Sequence, residues 1–434
     1  MKKITFRLFY SISLIFCFLT FVGYTDLHSQ EENLEYSDHV FRPTIHTVIL
    51  QQAGVDGSIP MIELGSNTKL HLQFDDLDPT QRMLYYSLQH CNADWKPSNV
   101  MVSRAIRGLQ QDILQDFEYS FNTRQQYIHH SLTFPSDQMQ ILISGNYILK
   151  VFEDGDPRNI LLTRRFMVYQ TKASIGAMAR RPVPVSLMDT HQEIDVTVDI
   201  SKLSLINAAA STKLVIRQNG RYDNAIMLKP FSINQQSINY NYDDGTNCFQ
   251  GGNEFRWVDI RSLRMQSDRV QRFSRDSELV VTHLLVDPMR TFDSYRSLPD
   301  ANGKFFIRNS EGSEPHVDAD YSWVNFTLPF EAPITHGNLY LFGSLCDWQF
   351  RDDFKLQYDY PSKSYRARIL LKQGIYYYSY ALVPNKSRIA DLSYIERSHF
   401  QTENDYLILF YSRQYTEVYD ELIGMTQINY QGIR

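Results

Sequence analysis

The sequence predicts an all-β protein built from tandem immunoglobulin-like antiparallel β-sandwich domains. Tyrosine and phenylalanine are abundant, with 28 and 26 residues in a chain of 434, whereas glycine contributes 19. Short runs that alternate polar and apolar residues recur along the chain, and they are rich in the β-branched and aromatic side chains that favour strands. Turn-forming clusters separate these runs, and no regular series of helices alternates with them. Antiparallel sandwiches are therefore favoured over a doubly wound sheet.

The N-terminus has the features of a secretory signal peptide. A basic segment over 2–7 precedes an apolar run over 8–24, and cleavage is expected after Ser29. A lipoprotein anchor at Cys17 is disfavoured because it would need a small residue where the chain has Phe16. An uncleaved anchor is the remaining alternative, since the apolar run is only slightly shorter than the ~20 residues that span a bilayer. The mature chain carries no further long apolar run, and we expect it not to span a membrane.

The predicted strands are short and lie in three blocks. The clearest ones are "KLHLQF" (69–74), "NYILKVF" (146–152), "RRFMVYQ" (164–170), "EIDVTVDI" (193–200), "TKLVIRQ" (212–218), "WVNFTLPF" (323–330), "NLYLFGSL" (338–345), "SYRARILL" (364–371), "GIYYYSYAL" (374–382) and "DYLILFYSR" (405–413). One segment, 98–117, has apolar residues at helical spacing, although Gly108 weakens a single helix and two short pieces fit equally well.

The blocks predict a domain division. Residues 287–320 are rich in Pro, Gly, Asn, Ser and Asp, which indicates a linker or long loop. The expected segments are a signal peptide at 1–29, an N-terminal sandwich at 41–170, a middle sandwich at 183–286, the linker at 287–320, and a C-terminal sandwich of early-set type at 321–434.

Charge and cysteine content limit the function classes. The formal net charge is −6, from 43 basic and 49 acidic residues, so nucleic acid is not an expected partner. Beyond the signal peptide the cysteines are Cys91, Cys248 and Cys346, too few and too widely spaced for a disulfide framework. We expect three isolated thiols.

The densest group of reactive side chains lies in "YYSLQHCNADWKPSNV" (85–100), which contains His90, Cys91, Asp94 and Trp95. Neighbours on a strand point to opposite faces, so the imidazole and the thiol should diverge rather than form a nucleophile pair. No second ligand pair of zinc-site spacing exists in the chain. We therefore expect the end of a strand followed by a turn. We expect the same of the acidic cluster "FDDLDP", which lacks the glycine and glutamate of a helical-hand calcium loop. No catalytic residue, metal or cofactor is assigned.

The third block contains a pattern similar to glycogen-binding modules of the early-set class. A strand is followed by a Gly-Ser-x-x-Asp-Trp turn and a tyrosine-rich hairpin, and Trp348 occupies the position at which those modules stack on sugar. The second aromatic residue of those modules has no tryptophan counterpart here. Glycan binding through Trp348, by a periplasmic or secreted protein, is the alternative function.

A resemblance to one family covers the chain from about Phe41 to the C-terminus. The blocks "FDDLD", "YYSLQHCNADWKPS", "SFNTRQQYIHHSLTFP", "SGNYILKVF", "TRRFMVY", "GGNEFRWVDIRS" and "FQTENDYLILFYS" follow one another in this order. They are similar to blocks of the type IX secretion system plug protein of the Bacteroidetes. The resemblance implies a non-enzymatic protein on the periplasmic side of the outer membrane, where it closes the pore of the secretion translocon β-barrel. It implies no cofactor, no nucleic acid and no small-molecule substrate.

The positions that carry this resemblance serve either the fold or partner contact, and the sequence does not divide them. Gly145 and Asn146 suit a positive-φ turn before a strand, and Asn122 and Thr123 can bond the backbone through their side chains. The full set is His90, Cys91, Asp94, Trp95, Asn122, Thr123, Gly145, Asn146, Tyr147, Arg164, Arg165, Gly251, Gly252, Asn253 and Trp257.

Overall fold

The computed structural model describes residues 34–432. The first part of the chain forms the elements β1 (His39–Val40), β2 (Ile45–Gln52), β3 (Met61–Glu63), β4 (Leu70–Asp76), β5 (Leu84–Cys91), α1 (Val102–Ala105), β6 (Ile106–Gly108), β7 (Gln111–Leu114), β8 (Asp116–Tyr119), β9 (Ile128–Phe134), β10 (Met139–Ile141), β11 (Gly145–Glu153) and β12 (Ile160–Tyr169).

The middle part of the chain contributes β13 (Ser174–Arg180), β14 (His191–Asp199), α2 (Ala208–Ser211), β15 (Thr212–Gln218), β16 (Ile226–Leu228), β17 (Ser232–Ile233), β18 (Ser237–Asn239) and β19 (Cys248–Gln250). The rest forms β20 (Arg256–Asp259), β21 (Val270–Asp276), β22 (Leu279–Leu284), β23 (Phe305–Ile307), α3 (Pro315–Asp318), β24 (Tyr321–Pro329), β25 (Gly337–Phe342), β26 (Gln357–Asp359), β27 (Ser364–Lys372), β28 (Gly374–Pro384), α4 (Ser393–Glu396), β29 (Asn404–Ser412) and β30 (Glu421–Tyr430), with 3-10 turns at Ser344–Cys346 and Asp352–Phe354.

The first domain is a sandwich of two sheets that spans 34–170. One sheet has the order β1-β12-β11-β5-β7, with β3 parallel to β12, and the other has the order β2-β4-β9-β8. A single apolar core between them includes Phe74, Leu88, Leu149 and Phe166. The central strand β11 is buried on nearly its whole length, because its outer face is covered as well, by the second domain at Asn146 and by residues of the first domain at Lys150 and Phe152.

The second domain is built from two separate pieces of the chain, 171–250 and 403–432. One sheet runs β13-β14-β18-β17 with β19 beside β14, and the other runs β16-β15-β29-β30. In β14 the side chains of Ile194, Val196 and Val198 enter the core and those of Thr197 and Asp199 face outward, as the period of a half-buried strand requires. The core is completed by residues of β29 and β30.

The third domain, 251–402, is inserted between those two pieces. Its sheets run β20-β28-β23, with β25 also on β28, and β21-β22-β24-β27-β26, in which β22 and β24 are parallel. Its core extends in sequence from Val258 to Ile395. The three domains follow one another as sandwiches, but the second is interrupted by the third.

The predicted fold class is confirmed: the described chain is all-β and consists of tandem β-sandwiches. The domain boundaries differ from the expected ones. The first piece of the middle domain ends at 250 rather than near 286. The last two strands of this domain, β29 and β30, follow residue 403. The expected linker 287–320 belongs to the third domain, where it contains β23 and α3 and where Asp287 is buried. The reason is that the pairing of β15 with β29 joins segments nearly two hundred residues apart, and local patterns carry no information about such pairing.

The segment 98–117 also differs from the helical expectation. It forms the single turn α1 followed by β6, β7 and the start of β8. The expected signal peptide at 1–29 lies outside the described residues. Between 34 and 432, no helix is long and apolar enough to cross a membrane.

Candidate functional site

Most of the motif positions lie where domains meet rather than in one surface pocket. Three joints connect the domains: the 1–2 joint between the first and second, the 1–3 joint between the first and third, and the 2–3 joint between the second and third. Each is built from polar side chains that are buried against the neighbouring domain, together with apolar contacts.

The turn after β5 forms the 1–2 joint. Asn92 Oδ1 accepts hydrogen bonds from Arg413 Nη2 at 3.0 Å and from the backbone N of Asp420 at 3.2 Å. The carboxylate of Asp420 in turn accepts the backbone N–H of Ala93 at 3.0 Å and Lys213 Nζ at 2.8 Å. Burial raises the pKa of Asp420, but these hydrogen bonds and charges outweigh it, so the pKa is lowered and the group stays ionised. Hydrogen bonds to charged groups therefore hold the turn against the loop between β29 and β30.

His90 and Cys91 do not form a nucleophile pair. The imidazole Nδ1 is bonded to Ser98 Oγ at 2.8 Å and Nε2 lies 3.2 Å from the carbonyl O of Ser144. Burial lowers the pKa of His90 to about 4 and raises the pKa of the Cys91 thiol to about 12, so both groups are neutral at physiological pH. A thiol with that pKa is not an activated nucleophile. The described chain forms no disulfide, and Cys91, Cys248 and Cys346 are free.

The start of β11 is shaped to fit the second domain. Gly145 has φ +147°, and a Cβ there would overlap His90 Nε2 and approach the carbonyl O of Asp420 to 3.1 Å. Asn146 beside it accepts a 2.7 Å hydrogen bond from Tyr411 Oη of β29. An apolar cluster completes the joint, with Met61, Ala93, Met167, Val215, Leu407, Leu409, Tyr411 and Leu422 buried in it. Tyr147 points into the first domain's own core.

The 1–3 joint is centred on Asp75, in the block "FDDLD". Its carboxylate accepts Lys372 Nζ at 2.6 Å and Tyr321 Oη at 2.7 Å, both from the third domain, and it lies 2.7 Å from His129 Nδ1. Lys372 Nζ also lies 4.1 Å from the centroid of the Tyr127 ring. Burial alone would raise the pKa of Asp75, but Lys372 and His129 reverse that effect and lower it. The acidic block is thus an ion pair between domains.

The loop after β8 extends the same joint. The carboxylate of Asp320 in the third domain accepts the backbone N–H groups of Arg124 at 2.8 Å and Gln125 at 3.0 Å. Asn122 adopts a positive φ of 60° within this loop, and Thr123 Oγ1 is buried without a hydrogen-bond partner among the described residues. The loop is therefore held through its backbone rather than through the side chains of Asn122 and Thr123.

The two crossings of the chain between the second and third domains form the 2–3 joint. Gly251 lies so close to the carbonyl O of His399 that a Cβ would overlap it. Asn404 Nδ2 donates to the carbonyl O of Gly251 at 2.8 Å, and the backbone N of Gly252 donates to Ser398 Oγ at 3.0 Å. The outgoing block "GGNEFRW" and the returning block "FQTEND" thus bind each other.

Next to this joint, a buried ion cluster fixes the third domain. Asn253 Nδ2 donates to the carbonyl O of Glu396 at 2.8 Å, and Arg256 pairs with the Glu396 carboxylate at 2.8 Å and with Asp287 at 3.2 Å. Trp257, the next residue on β20, faces the other way and is 36% exposed. Among the motif positions it is the aromatic side chain most open to solvent.

A cavity of about 200 Å³ lies where all three domains meet. Arg164 crosses it from the first domain to Asp347 of the third at 3.0 Å. Arg165 lies over the rings of Trp95 and Tyr222, with its guanidinium carbon 4.8 Å and 4.4 Å from their centroids. Trp95 therefore packs in the 1–2 joint, against Arg165 and Tyr222.

Trp348 is wedged at the edge of the same cavity. Its ring packs edge-on against Phe255 and Phe342, with centroids 6.0 Å and 5.4 Å apart, and a Cβ on Gly220 or on Gly303 would overlap it. Trp348 thus holds the second and third domains together. Asp94 is exposed and accepts the backbone N–H of Lys96 at 3.3 Å, as expected for the turn.

Sequence reasoning missed the partners of these motif residues. Asp420, Lys372 and Asp320 lie in segments far from the residues that they bind, and a single chain offers no local signal for such contacts. The one available signal was that "FDDLD" and "GGNEFRW" place charged residues inside otherwise apolar strands, where a buried charge requires a partner.

Comparisons with known proteins agree with this architecture. The family described as "Type 9 secretion system plug protein 1st domain" matches residues 45–170, which is the first sandwich. The chain is also similar to the crystal structure of a hypothetical protein from Parabacteroides merdae ATCC 43184, with a TM-score of 0.88 and 31% sequence identity, over 91% of this chain and 99% of that chain. A search of curated proteins gave no match.

Proposed function

Because the chain belongs to the type IX secretion system plug protein family, we propose that it binds the periplasmic end of the outer-membrane type IX translocon pore and closes it while no cargo passes. The partner in this proposal is the translocon β-barrel, and the protein lies in the periplasm against the inner face of the outer membrane. Closure by occupation of space needs no catalytic step and no cofactor.

Beyond family membership, the proposal rests on one observation: the three joints hold the domains firmly against one another. Domains joined by small polar interfaces move relative to each other by default. Here an apolar cluster seals the 1–2 joint, and buried charges such as the Asp75–Lys372 pair cross the 1–3 joint. A body that closes an opening must keep its shape under load, and these joints supply that stiffness.

The contact face is proposed from an exposed aromatic motif position that no joint uses. Trp257 stands on the outer face of the sheet β20-β28-β23, opposite Tyr377 in the register of β20 and β28. Exposed aromatic residues are enriched at the centres of protein interfaces. We propose that Trp257 is an anchor for the translocon.

The test is a pull-down from the native host. The mature chain, tagged at its C-terminus, is purified in mild detergent from the outer-membrane fraction, and we expect a very large β-barrel protein in near-equal amount. Recovery of the monomer alone, even with export blocked, would contradict the proposed role.

Matched variants separate the contact face from the role itself. Trp257→Ala should lower the amount of barrel recovered at least fivefold with an unchanged Tm, whereas Phe292→Ala, which removes an aromatic residue that is 91% exposed, should have no effect. Equal recovery with both variants would exclude Trp257 as an anchor and leave the plug role intact.

A further inference from the structure

Besides Arg164, which is paired with Asp347, the cavity at the meeting point of the domains contains one cation from each domain. Arg165 comes from β12 of the first domain, Arg217 from β15 of the second, and Lys304 from the segment before β23 of the third. Within residues 34–432, none of the three lies within 4.0 Å of a carboxylate oxygen. The three joints therefore bring together three cations that lack an ion-pair partner.

The two arginines are close to each other. The guanidinium carbons of Arg165 and Arg217 lie 4.4 Å and 3.4 Å from the centroid of the same Tyr222 ring, so they cannot be further apart than the sum of those distances. Burial lowers the pKa of Arg165; the charges of Tyr222 and Asp38 act against this, and repulsion from Arg217 adds to the lowering. Two like charges in a partly desolvated site repel, and an anion bound to both would relieve that repulsion.

The donors of these cations are only partly used. Arg165 Nε donates to the carbonyl O of Tyr36 at 2.8 Å, and Arg217 donates through Nε and Nη2 to the carbonyl O atoms of Arg221 at 3.2 Å and Gly220 at 3.0 Å. In the part of the chain that the structure describes, the Nη atoms of Arg165 and Nζ of Lys304 donate to no protein acceptor, and Arg217 is also hydrogen-bonded to the Tyr222 side chain. The stem of Lys304 passes over Gly57 of the first domain, where a Cβ would lie 3.4 Å from its Cδ.

The carboxylates on the cavity wall have partners of their own. Asp347 is held by Arg164 at 3.0 Å and Arg351 at 3.2 Å. Asp405 accepts the side-chain amides of Asn302 at 3.1 Å and Asn429 at 2.9 Å. Asp38 Oδ1 accepts the backbone N–H of Arg165 at 2.7 Å. The Asp38 carboxylate also attracts the Arg165 guanidinium, although it lies beyond ion-pair distance from it. Asp38 Oδ2 apart, the unused hydrogen-bonding capacity of the charged groups that line the cavity is on the side of the donors.

We propose that this cavity is a binding site for a small oxyanion, a phosphate or a carboxylate, held by Arg165, Arg217 and Lys304. Planar guanidinium groups bind both oxyanions through paired hydrogen bonds, and a lysine adds a point charge. A single water molecule needs about 10–15 Å³ of cavity volume. The cavity of about 200 Å³ therefore admits a phosphate or a small carboxylate together with some water. Because each domain supplies one cation, the ligand would tie the three domains together.

The experiment measures thermal unfolding of the mature chain, 30–434, against inorganic phosphate and, in a second arm, acetate, with chloride holding ionic strength constant. We expect a saturable rise in Tm of roughly 2 °C or more with at least one of the two ions. A response to phosphate alone identifies a phosphate site, and a response to acetate alone identifies a carboxylate site. No saturable response to either ion would overturn the proposal.

Variants of Lys304 locate the site, because its ammonium makes no hydrogen bond that folding requires. Lys304→Met and Lys304→Glu should have the same Tm as the parent protein without ligand, and each should bind the ion at least tenfold more weakly. Lys69→Met, at an exposed position of the first domain, is the control and should bind the ion with unchanged affinity. Unchanged affinity in the folded Lys304 variants would place the anion elsewhere and reject this cavity. Pore binding is not measured, so the outcome is independent of the proposed function.

Discussion

At the scale of the residue, Gly145 shows how a motif position can be required by packing alone. Its φ of +147° is unfavourable for other residues, and a Cβ would overlap the buried ring of His90, whose own position is fixed by Ser98 and Ser144. The neighbours of Gly145 belong to two domains, so the strain would affect both the first sandwich and the 1–2 joint.

We expect Gly145→Ala to lower the free energy of unfolding by about 3 kcal/mol, from backbone strain and overpacking together. Gly65→Ala is the control, because Gly65 also has a positive φ of 80° but has nothing within 4 Å of its Cβ position. That variant should lose only about 1 kcal/mol. Chemical denaturation of both variants measures the difference, and equal losses would show that the overlap with His90 relaxes freely.

Glu254, beside the 2–3 joint, predicts a pH dependence. Burial, with a smaller contribution from Asp300, raises its pKa to about 7, although hydrogen bonds from Tyr295 and the backbone of Glu403 work against this. The folded state therefore holds a proton that the unfolded state releases. The stabilisation is complete below the ordinary pKa of 4.5 and is lost as pH rises through about 7.

Replacing the Glu254 carboxyl with a neutral amide should remove the loss of stability that occurs as pH rises through about 7. We expect Glu254→Gln to unfold at a higher denaturant concentration than the parent protein at pH 8, and to differ little from it at pH 4.5. Glu278→Gln, at an exposed position, should match the parent at both pH values. A Glu254→Gln variant with the same pH profile as the parent would mean that Glu254 does not titrate in this range.

At the scale of the element, the contact between β4 and β27 depends on one buried ion pair. Removing one member of such a pair leaves an uncompensated buried charge, which costs about 3–5 kcal/mol. Asp75→Asn and Lys372→Met should each destabilise the protein by that order. The double variant should cost clearly less than the two together, because no lone charge remains.

A double-mutant cycle by chemical denaturation measures this coupling. The exposed pair Lys363–Glu331 serves as the control, since its removal should change stability by less than about 1 kcal/mol. Additive effects of Asp75→Asn and Lys372→Met would indicate that the two groups are stabilised separately, by His129 and by the Tyr127 ring.

The elements also show what the sequence could predict and what it could not. The alternating runs at 146–152 and 364–371 lie within β11 and β27, and the run at 193–200 lies within β14 except for its last residue. Alternation reflects a local property, the two faces of a strand. In 98–117 apolar residues at helical spacing form short strands instead, since those residues contact β5, β9 and β10. Strand pairing depends on segments that are far apart in the sequence. The candidate site depends on such contacts too, so local patterns could not predict it. Arg217 and Lys304 looked like ordinary charged residues of their own segments, and Arg165 was singled out only through the family resemblance.

At the scale of the whole molecule, the insertion of the third domain into the second explains where the motifs lie. The chain passes from the second domain into the inserted domain and back again. Both connections must bring the two pieces of the second domain together so that its sandwich can form. The blocks "GGNEFRW" and "FQTEND" are those connections, and the blocks around residues 75, 92 and 165 fasten the first domain to the pair. The motif residues thus chiefly define one relative arrangement of three sandwiches, and the proposed plug role requires such a fixed arrangement.

This insertion gives a prediction about fragments. Residues 253–401 contain both sheets and the whole core of the third domain, whereas 321–434 lacks β20 to β23 and carries β29 and β30 without their partner β15. We expect 253–401 to show a cooperative thermal transition and dispersed amide signals by NMR. We expect 321–434 to show neither, because two exposed strands without a sheet cannot bury their apolar faces.

A matched deletion tests the same topology from the other side. Removing 403–434 from the full chain should unfold the second domain, since Tyr406, Ile408, Phe410 and Ile423 are part of its core. Limited proteolysis should then cleave within 171–250 while the first domain stays protected. Protection of 171–250 in this deletion, or a folded 321–434 fragment, would contradict the discontinuous second domain. It would then support a division of the chain into consecutive units.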